Sequence, residues 1–368
     1  MQVCIGGGQQ LGKVLGHGAA IAERGNLRYR PPIVAKYHLP RPGQPFVVVQ
    51  PDGERSLADL DRESVVTHYS QHGALLFRGF DADLTQFGDF AWRFCKTAVV
   101  NETPGRNPLD PARLVYGVDG GQQAFALHPE ISREPWKPDV AMFACLSPPG
   151  QGGYTTLCDG VELVRALPAE VREGLADRWL VYPNAAWAEL LEFWLGTPEP
   201  DDALLADPPP HCPYTFQRAA NGRVVRFFST PALHKPMFAQ DPAFGNFLLF
   251  ARFVKGRRDF PLLDDLRPVP EEWLQAIKAA ADPLTIAIRW HKGDVLMLDN
   301  TRFMHGRTAI TDPVEREIAT FFGYLDFAVP APHEQPDPIW RRANFEPPRP
   351  PDYLIRNHLE NHAADRPV

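Results

Sequence analysis

The stretch Leu127-His128-Pro129-Glu130 sets a histidine and a carboxylate two residues apart where a proline disfavours helix. Pro129 clashes with helical backbone at the residue before it and so drives His128 into an extended conformation. In an extended chain, residues two apart point to the same side, and an imidazole and a carboxylate so placed can reach one metal ion together. A His-x-Glu triplet is common, so the pair gains meaning only from a third ligand.

His305 offers that ligand, in Gly293-Asp294-Val295-Leu296-Met297-Leu298-Asp299-Asn300-Thr301-Arg302-Phe303-Met304-His305-Gly306-Arg307. An apolar strand, Val295 to Leu298, runs there into polar residues, as where a strand leaves a core and delivers a side chain to a pocket. Two histidines and one carboxylate on one face of an octahedron leave positions open for a cosubstrate and O2, the arrangement of non-haem iron oxygenases. Zinc normally takes four tetrahedral ligands, and neither HExxH nor a cysteine set is present. Iron is therefore favoured over a zinc hydrolase or lyase built on the same ligands. Arg316, eleven residues after His305, opens the apolar run Ile318-Ala319-Thr320-Phe321. An arginine pointing inward from such a strand needs a partner. A carboxylate gripped in bidentate fashion is one, and a salt bridge to Glu315, Glu317 or a neighbouring strand is the other.

Working outward, 368 residues exceed the size of one ordinary core, so two domains or one large domain with insertions are expected. Apolar residues at 44% and charged residues at 23% describe a folded globular chain. A net charge of -7, with both signs spread along the chain, argues against a nucleic-acid partner. The compact basic cluster Lys255, Arg257 and Arg258 falls short of a binding run. The five cysteines, Cys4, Cys95, Cys145, Cys158 and Cys212, form no CxxC pair and no even framework, which fits a reducing compartment. Met1 to Glu23 lacks a basic segment followed by a continuous apolar run, and no stretch approaches the ~20 apolar residues of a membrane span. The expectation is a cytoplasmic protein with no membrane partner.

Short apolar pieces such as Phe46 to Val49 make the first 60 or so residues a lead-in of small strands and turns. A helix from Ser64 to Gly73, a buried strand Ala74 to Phe77 and a helix Leu84 to Phe94 follow. Ala141 to Leu146 and Tyr154 to Leu157 read as strands joined by the turn at Gly150, Gly152 and Gly153. Helical stretches broken by Pro168 are expected from Val161 to Leu180. The segment from Tyr182 to Phe260 is irregular in pattern and rich in Trp, Phe and Pro. Val269 to Ala281 is a helix whose first turn carries Glu271 and Glu272, and strands Leu284 to Trp290, Val295 to Leu298 and Ile318 to Phe327 follow it. No internal repeat is present.

Together these features resemble the TauD/TfdA group of Fe(II)/2-oxoglutarate dioxygenases, particularly its SyrP-like and clavaminate-synthase-like members, from about Ser64 to Phe327. A His-x-Asp/Glu pair, a Gly-Gly-x-Thr turn matched by Gly152-Gly153-Tyr154-Thr155, and a Gly-Asp, apolar, Asp-Asn, His-Gly-Arg block matched by Gly293 to Arg307 occur in the family's order. So does a later arginine, Arg316, and Leu76-Phe77-Arg78-Gly79-Phe80 is similar to an early strand signature. The resemblance implies that His128, Glu130 and His305 hold Fe(II). It implies too that Thr155 hydrogen-bonds 2-oxoglutarate, that Arg316 grips its distal carboxylate, and that O2 is consumed while succinate and CO2 are released. Arg78, Asp299 and Asn300 would brace loops, and Arg307 would either line the substrate pocket or, the favoured reading, brace the metal-bearing loop.

The fold so implied is mainly β with flanking helices, a double-stranded β-helix or jelly-roll core. Its expected parts are a lead-in over 1–63, the oxygenase domain over 64–327 with an aromatic insertion at about 182–260, and a Pro-rich tail over 328–368. Hydroxylation is the expected outcome. Halogenation is disfavoured because the carboxylate ligand is present, and desaturation or cyclisation stays open. The implied substrate is a small molecule: an amino acid, a derivative, or an aminoacyl group on a carrier protein, in natural-product metabolism. Arg106, Arg113, Glu134, Arg218 and Arg226 are charges able to recognise such groups, although surface charge is the ordinary role of each. Trp187, Phe193, Trp194, Phe227 and Phe228 are candidates for shaping the pocket. A homo-oligomer is left open, and a non-catalytic jelly-roll binding protein is the second rival reading.

Overall fold

Two antiparallel-rich sheets face each other, and the alternation of side chains along their strands sorts the apolar residues into three cores. The computed structural model describes residues 35–101, 106–118, 121–312 and 316–351. All of them belong to one unit, Val34–Val368. The larger sheet has nine strands, in the order Lys36–His38, Val47–Gln50, Ala74–Phe77, Val295–Asp299, Val140–Ser147, Glu317–Leu325, Val115–Gly117 and Pro108–Asp110, with Cys95–Ala98 also paired to Glu317–Leu325. The smaller sheet runs Ile286–Ile288, Thr155–Asp159, Phe303–Arg307 and Phe125–His128.

The continuous apolar runs of the central strands follow from burial on both faces. In the large sheet Leu75, Phe77, Met142, Val295, Met297 and Phe321 point outward against the helices Arg62–His72 and Leu84–Trp92. Their neighbours Leu76, Phe143, Leu296, Leu298, Ile318 and Phe322 point inward, where they meet Leu157, Ile288 and Phe303 of the smaller sheet and Trp290 just beyond it. The smaller sheet turns Leu127, Cys158 and Met304 outward onto the helices Gly160–Ala166, Ala169–Ala176, Leu248–Phe253 and Glu271–Ala281. This is the jelly-roll sandwich with outer helices that the sequence implied.

Local signals set the element ends. Asp61 caps the helix Arg62–His72 by accepting from Ser64 N–H, and Gly73 closes it in the left-handed region at φ 73°. The strand Ala74–Phe77 begins at the next residue.

The sequence pattern differs from the structure after Arg178. Trp179 and Leu180, read as the end of a helical stretch, open the strand Trp179–Ala185. That strand joins Thr215–Arg218, Val224–Pro231 and Leu262–Leu263 in a four-stranded sheet that lies mostly in the segment read as irregular. Pro183 sits inside it without loss, because Leu262–Leu263 pairs only with Leu180 and Val181 and no ladder needs a donor at Pro183 on that side. Beyond Leu325 the chain packs back on the body: Trp340 is buried, and Arg341 makes a double hydrogen bond to the buried carboxylate of Asp139, each at 2.8 Å.

Candidate active site

The strand pairing that builds the smaller sheet also assembles the site. His305 pairs directly with His128 on one side and with Leu157 on the other. Outward-facing Leu127 and Met304 alternate with inward-facing His128 and His305, so both imidazoles enter the space between the sheets, their ring centres 4.7 Å apart. Phe143 of the large sheet meets the His305 ring at 5.0 Å, and Phe250 meets the His128 ring at 4.6 Å.

Glu130 follows two residues after His128 and completes the group. One ligand atom from each of His128, Glu130 and His305 lies within 4.8 Å of the others. The turn that presents Glu130 is strained: Ile131, a β-branched residue, adopts a left-handed φ of 51°. It is held by Asn300, whose side chain bonds both the N–H and the carbonyl of Glu130.

The donor set fits a divalent cation. His128 Nδ1 lies 2.9 Å from the Ala126 carbonyl, and a proton on Nδ1 donated there leaves the Nε2 lone pair for a metal. Glu130 Oε2 is buried, 3.3 Å from His305 Nε2, and has no hydrogen-bond partner. Burial by itself would raise the Glu130 carboxyl, but Arg106 and His305 more than offset that and hold it well below the usual carboxylate range. Burial, with His305 adding to it, brings His128 down to about 3. A neutral imidazole and an ionised carboxylate are the forms that ligate.

Thr155 lies on the strand beside His305, two residues from Leu157 and on the same inward face. Its Oγ1 accepts from Trp290 Nε1 at 3.1 Å. Arg316 stands at the mouth of the strand Glu317–Leu325, its Nε donating to the Gly153 carbonyl at 2.9 Å. Among the described residues no carboxylate is paired with it. Burial, with Arg307 close by, lowers this guanidinium to about 10. Gly153 has φ 63°, and a Cβ there would fall 2.9 Å from Arg316 Cδ, so glycine admits the arginine at this turn.

The other charges divide. Arg113 pairs with Asp89 and Asp110, Arg218 with Asp202, and Glu134 with Arg226. Arg106 instead reaches Glu130 Oε1 at 2.9 Å. Arg307 bonds the Gln123 carbonyl, the closer contact at 2.8 Å, and Arg78 bonds Asp294, both bracing the framework. Trp194 belongs to a separate core with Tyr214 and Trp340, whereas the rings touching the two histidines are Phe143, Phe247 and Phe250. Asn101, Arg106 and these phenylalanines carry no local sequence signal, because they come from segments distant in the chain. Four buried cysteines, Cys95, Cys145, Cys158 and Cys212, are free. No helix among the described residues is long and apolar enough to cross a membrane.

No curated protein sequence matches this one. Solved structures share the fold at low identity. PvcB, described as an Fe, alpha-ketoglutarate dependent oxygenase from an isonitrile synthetic pathway, aligns at 16% identity and a TM-score of 0.51 over 87% of this chain and 100% of its own. A structure of PvcB from Pseudomonas aeruginosa gives 16% and 0.52 over 88% and 100%. A putative alpha-ketoglutarate-dependent taurine dioxygenase from Burkholderia xenovorans gives 13% and 0.53 over 82% and 96%. The sequence itself matches the model of the taurine catabolism dioxygenase TauD, TfdA family over residues 39–320. With that match spanning most of its length, the chain belongs to the TauD/TfdA family and is a non-haem Fe(II)- and 2-oxoglutarate-dependent dioxygenase.

Proposed function

We propose that His128, Glu130 and His305 hold the Fe(II), that Thr155 and Arg316 receive 2-oxoglutarate, and that the enzyme hydroxylates a C–H bond of a small molecule. The observation that carries this reading is the buried Glu130 Oε2, which lacks a hydrogen-bond partner and lies 3.3 Å from His305 Nε2 in a group whose ligand atoms, His128 included, are within 4.8 Å of one another. Bound iron supplies the redox chemistry that couples decarboxylation of 2-oxoglutarate and reduction of O2 to oxidation of the substrate, with succinate and CO2 released.

The chain's own groups have separate tasks. The Ala126 carbonyl orients His128, and Asn300 fixes the backbone of Glu130. Arg316 offers a half-buried guanidinium to the distal carboxylate of 2-oxoglutarate, where the pairing is charge-assisted. Thr155, already accepting from Trp290, has its own hydroxyl proton to donate to a cosubstrate carboxylate. Phe143, Phe247 and Phe250 put apolar walls beside the histidines, which suits presentation of an unactivated C–H bond and exclusion of water.

For the substrate we favour an amino acid, a derivative, or an aminoacyl group tethered to a carrier protein, from natural-product metabolism. The resemblance to SyrP-like and clavaminate-synthase-like enzymes supports it. The free buried cysteines support a cytoplasmic setting. The test is anaerobic addition of Fe(II) and 2-oxoglutarate to metal-free protein. A weak visible charge-transfer band that is lost in His128→Ala is expected. Its absence from well-folded wild-type protein overturns the assignment.

A further inference from the structure

The two oxygens of Glu130 have unequal surroundings. Oε1 takes a hydrogen bond from Asn101 Nδ2 and a charge-assisted one, at 2.9 Å, from Arg106 Nη2. Oε2 takes none and faces His305. Arg106 is itself anchored on the opposite sheet: its Nη1 lies 3.4 Å from Thr320 Oγ1, its guanidinium sits 5.1 Å from the centre of the Phe322 ring, and its side chain is 14% exposed. Asn101 follows the strand Cys95–Ala98, which belongs to that same sheet. The large sheet thus holds one oxygen of a carboxylate delivered by the small one.

A carboxylate with no such donors can turn both oxygens onto a cation. We infer that Asn101 and Arg106 are positioning residues that occupy Oε1 and so restrict Glu130 to a single bond with the metal, through Oε2. The inference rests on the ligand assignment proposed above. Its consequence is that one more coordination position stays open for cosubstrate and O2 than a chelating carboxylate would leave. Arg106 also gives a buried carboxylate its counter-charge in the metal-free protein, at the cost of repelling a cation.

Water-proton relaxation of the Mn(II)-loaded protein counts the exchangeable waters on the metal and tests this without turnover. The Asn101→Ala/Arg106→Met double variant should bind Mn(II) with one fewer water than wild type, because the released Oε1 takes its place. Arg106→Gln keeps an N–H donor and should keep the wild-type count, while binding Mn(II) more tightly because the repelling charge is gone. If the double variant does not fold, Arg106→Met alone carries the test, since Asn101 by itself fills only one lone pair of Oε1 and leaves the other free for the cation. An unchanged water count in the variant that folds overturns the inference and leaves the ligand assignment standing. Failure of wild type to bind Mn(II), or undiminished binding by His128→Ala, overturns the assignment and the inference with it.

Discussion

Asn300 clamps Glu130 from both sides of its backbone: Asn300 Oδ1 accepts from the Glu130 N–H at 2.8 Å, and Asn300 Nδ2 donates to the Glu130 carbonyl at 3.0 Å. The same Nδ2 donates to the Pro138 carbonyl at 2.9 Å, closing the whole Glu130 loop around one buried amide. Asn300 sits in the turn leading to the His305 strand, so the carboxylate and the second histidine share one piece of scaffolding.

Asn300→Ala should therefore destabilise the protein by about 3 kcal/mol, since it strands buried backbone groups that had partners. It should also weaken divalent-metal binding, as the strained turn at Ile131 relaxes. Denaturant unfolding of the metal-free protein and Mn(II) titration check the two effects. Unchanged metal affinity in a folded variant refutes the coupling.

Arg316→Ala should cost 2-oxoglutarate affinity by roughly 2–5 kcal/mol, the range for losing one partner of a desolvated charge pair. Mn(II) affinity in the absence of cosubstrate should be unchanged. Gly153→Ala should produce a smaller loss of the same kind, by pushing a Cβ against the arginine at a left-handed position that costs about 1–2 kcal/mol for an alanine. Anaerobic calorimetry with 2-oxoglutarate separates these outcomes, and a wild-type affinity in Arg316→Ala would refute the assigned role.

Asp139 and Arg341 tie the segment after Leu325 to the body, their side chains 2% and 11% exposed. Removing the cation in Arg341→Ala leaves a buried carboxylate uncompensated and should destabilise the protein by about 3–5 kcal/mol. Limited proteolysis should then cut first between Asp326 and Pro351. Wild-type resistance to protease in the variant would show that the latch carries little.

His234 gives a pH dependence of known sign. Burial, with Lys137 and His333 adding to it, lowers the imidazole from 6.5 to about 3, and Nε2 lies 2.7 Å from the Thr301 carbonyl. The unfolded chain takes up this proton before the folded one does, so the stabilisation is present above about pH 6.5 and is lost as pH falls toward 3. The slope attributable to His234 is about 1.4 kcal/mol per pH unit within that window. Urea unfolding of metal-free protein at pH 7 and pH 5 should show a smaller acid loss in His234→Gln than in wild type. Equal losses would remove His234 from the account.

The elements legible in the sequence were those whose neighbours along the chain suffice to specify them. The helix Arg62–His72 has a cap and a closing glycine, and the strand Ala74–Phe77 is an apolar run between turns. The four-stranded sheet around Trp179–Ala185 was not legible, because Pro183 and scattered aromatics break the local pattern and the strand is held by pairing with the distant Val224–Pro231 and Leu262–Leu263. At the site, His128 and Glu130 stood out because Pro129 fixes their geometry locally, and His305, Thr155 and Arg316 through motif order. Arg106 looked like any surface charge. Its part depends on a sheet that brings Thr320 and Phe322 opposite Glu130.

By itself the sequence determined which groups are candidates to hold a metal and a dicarboxylate, since the joint reach of His128 and Glu130 depends on residue type and on an extended backbone that Pro129 favours. Only the tertiary structure decided which oxygen of Glu130 is open and which is taken. That choice is made by donors 24 and 29 residues away along the chain, close to Glu130 only once the two sheets have folded against each other.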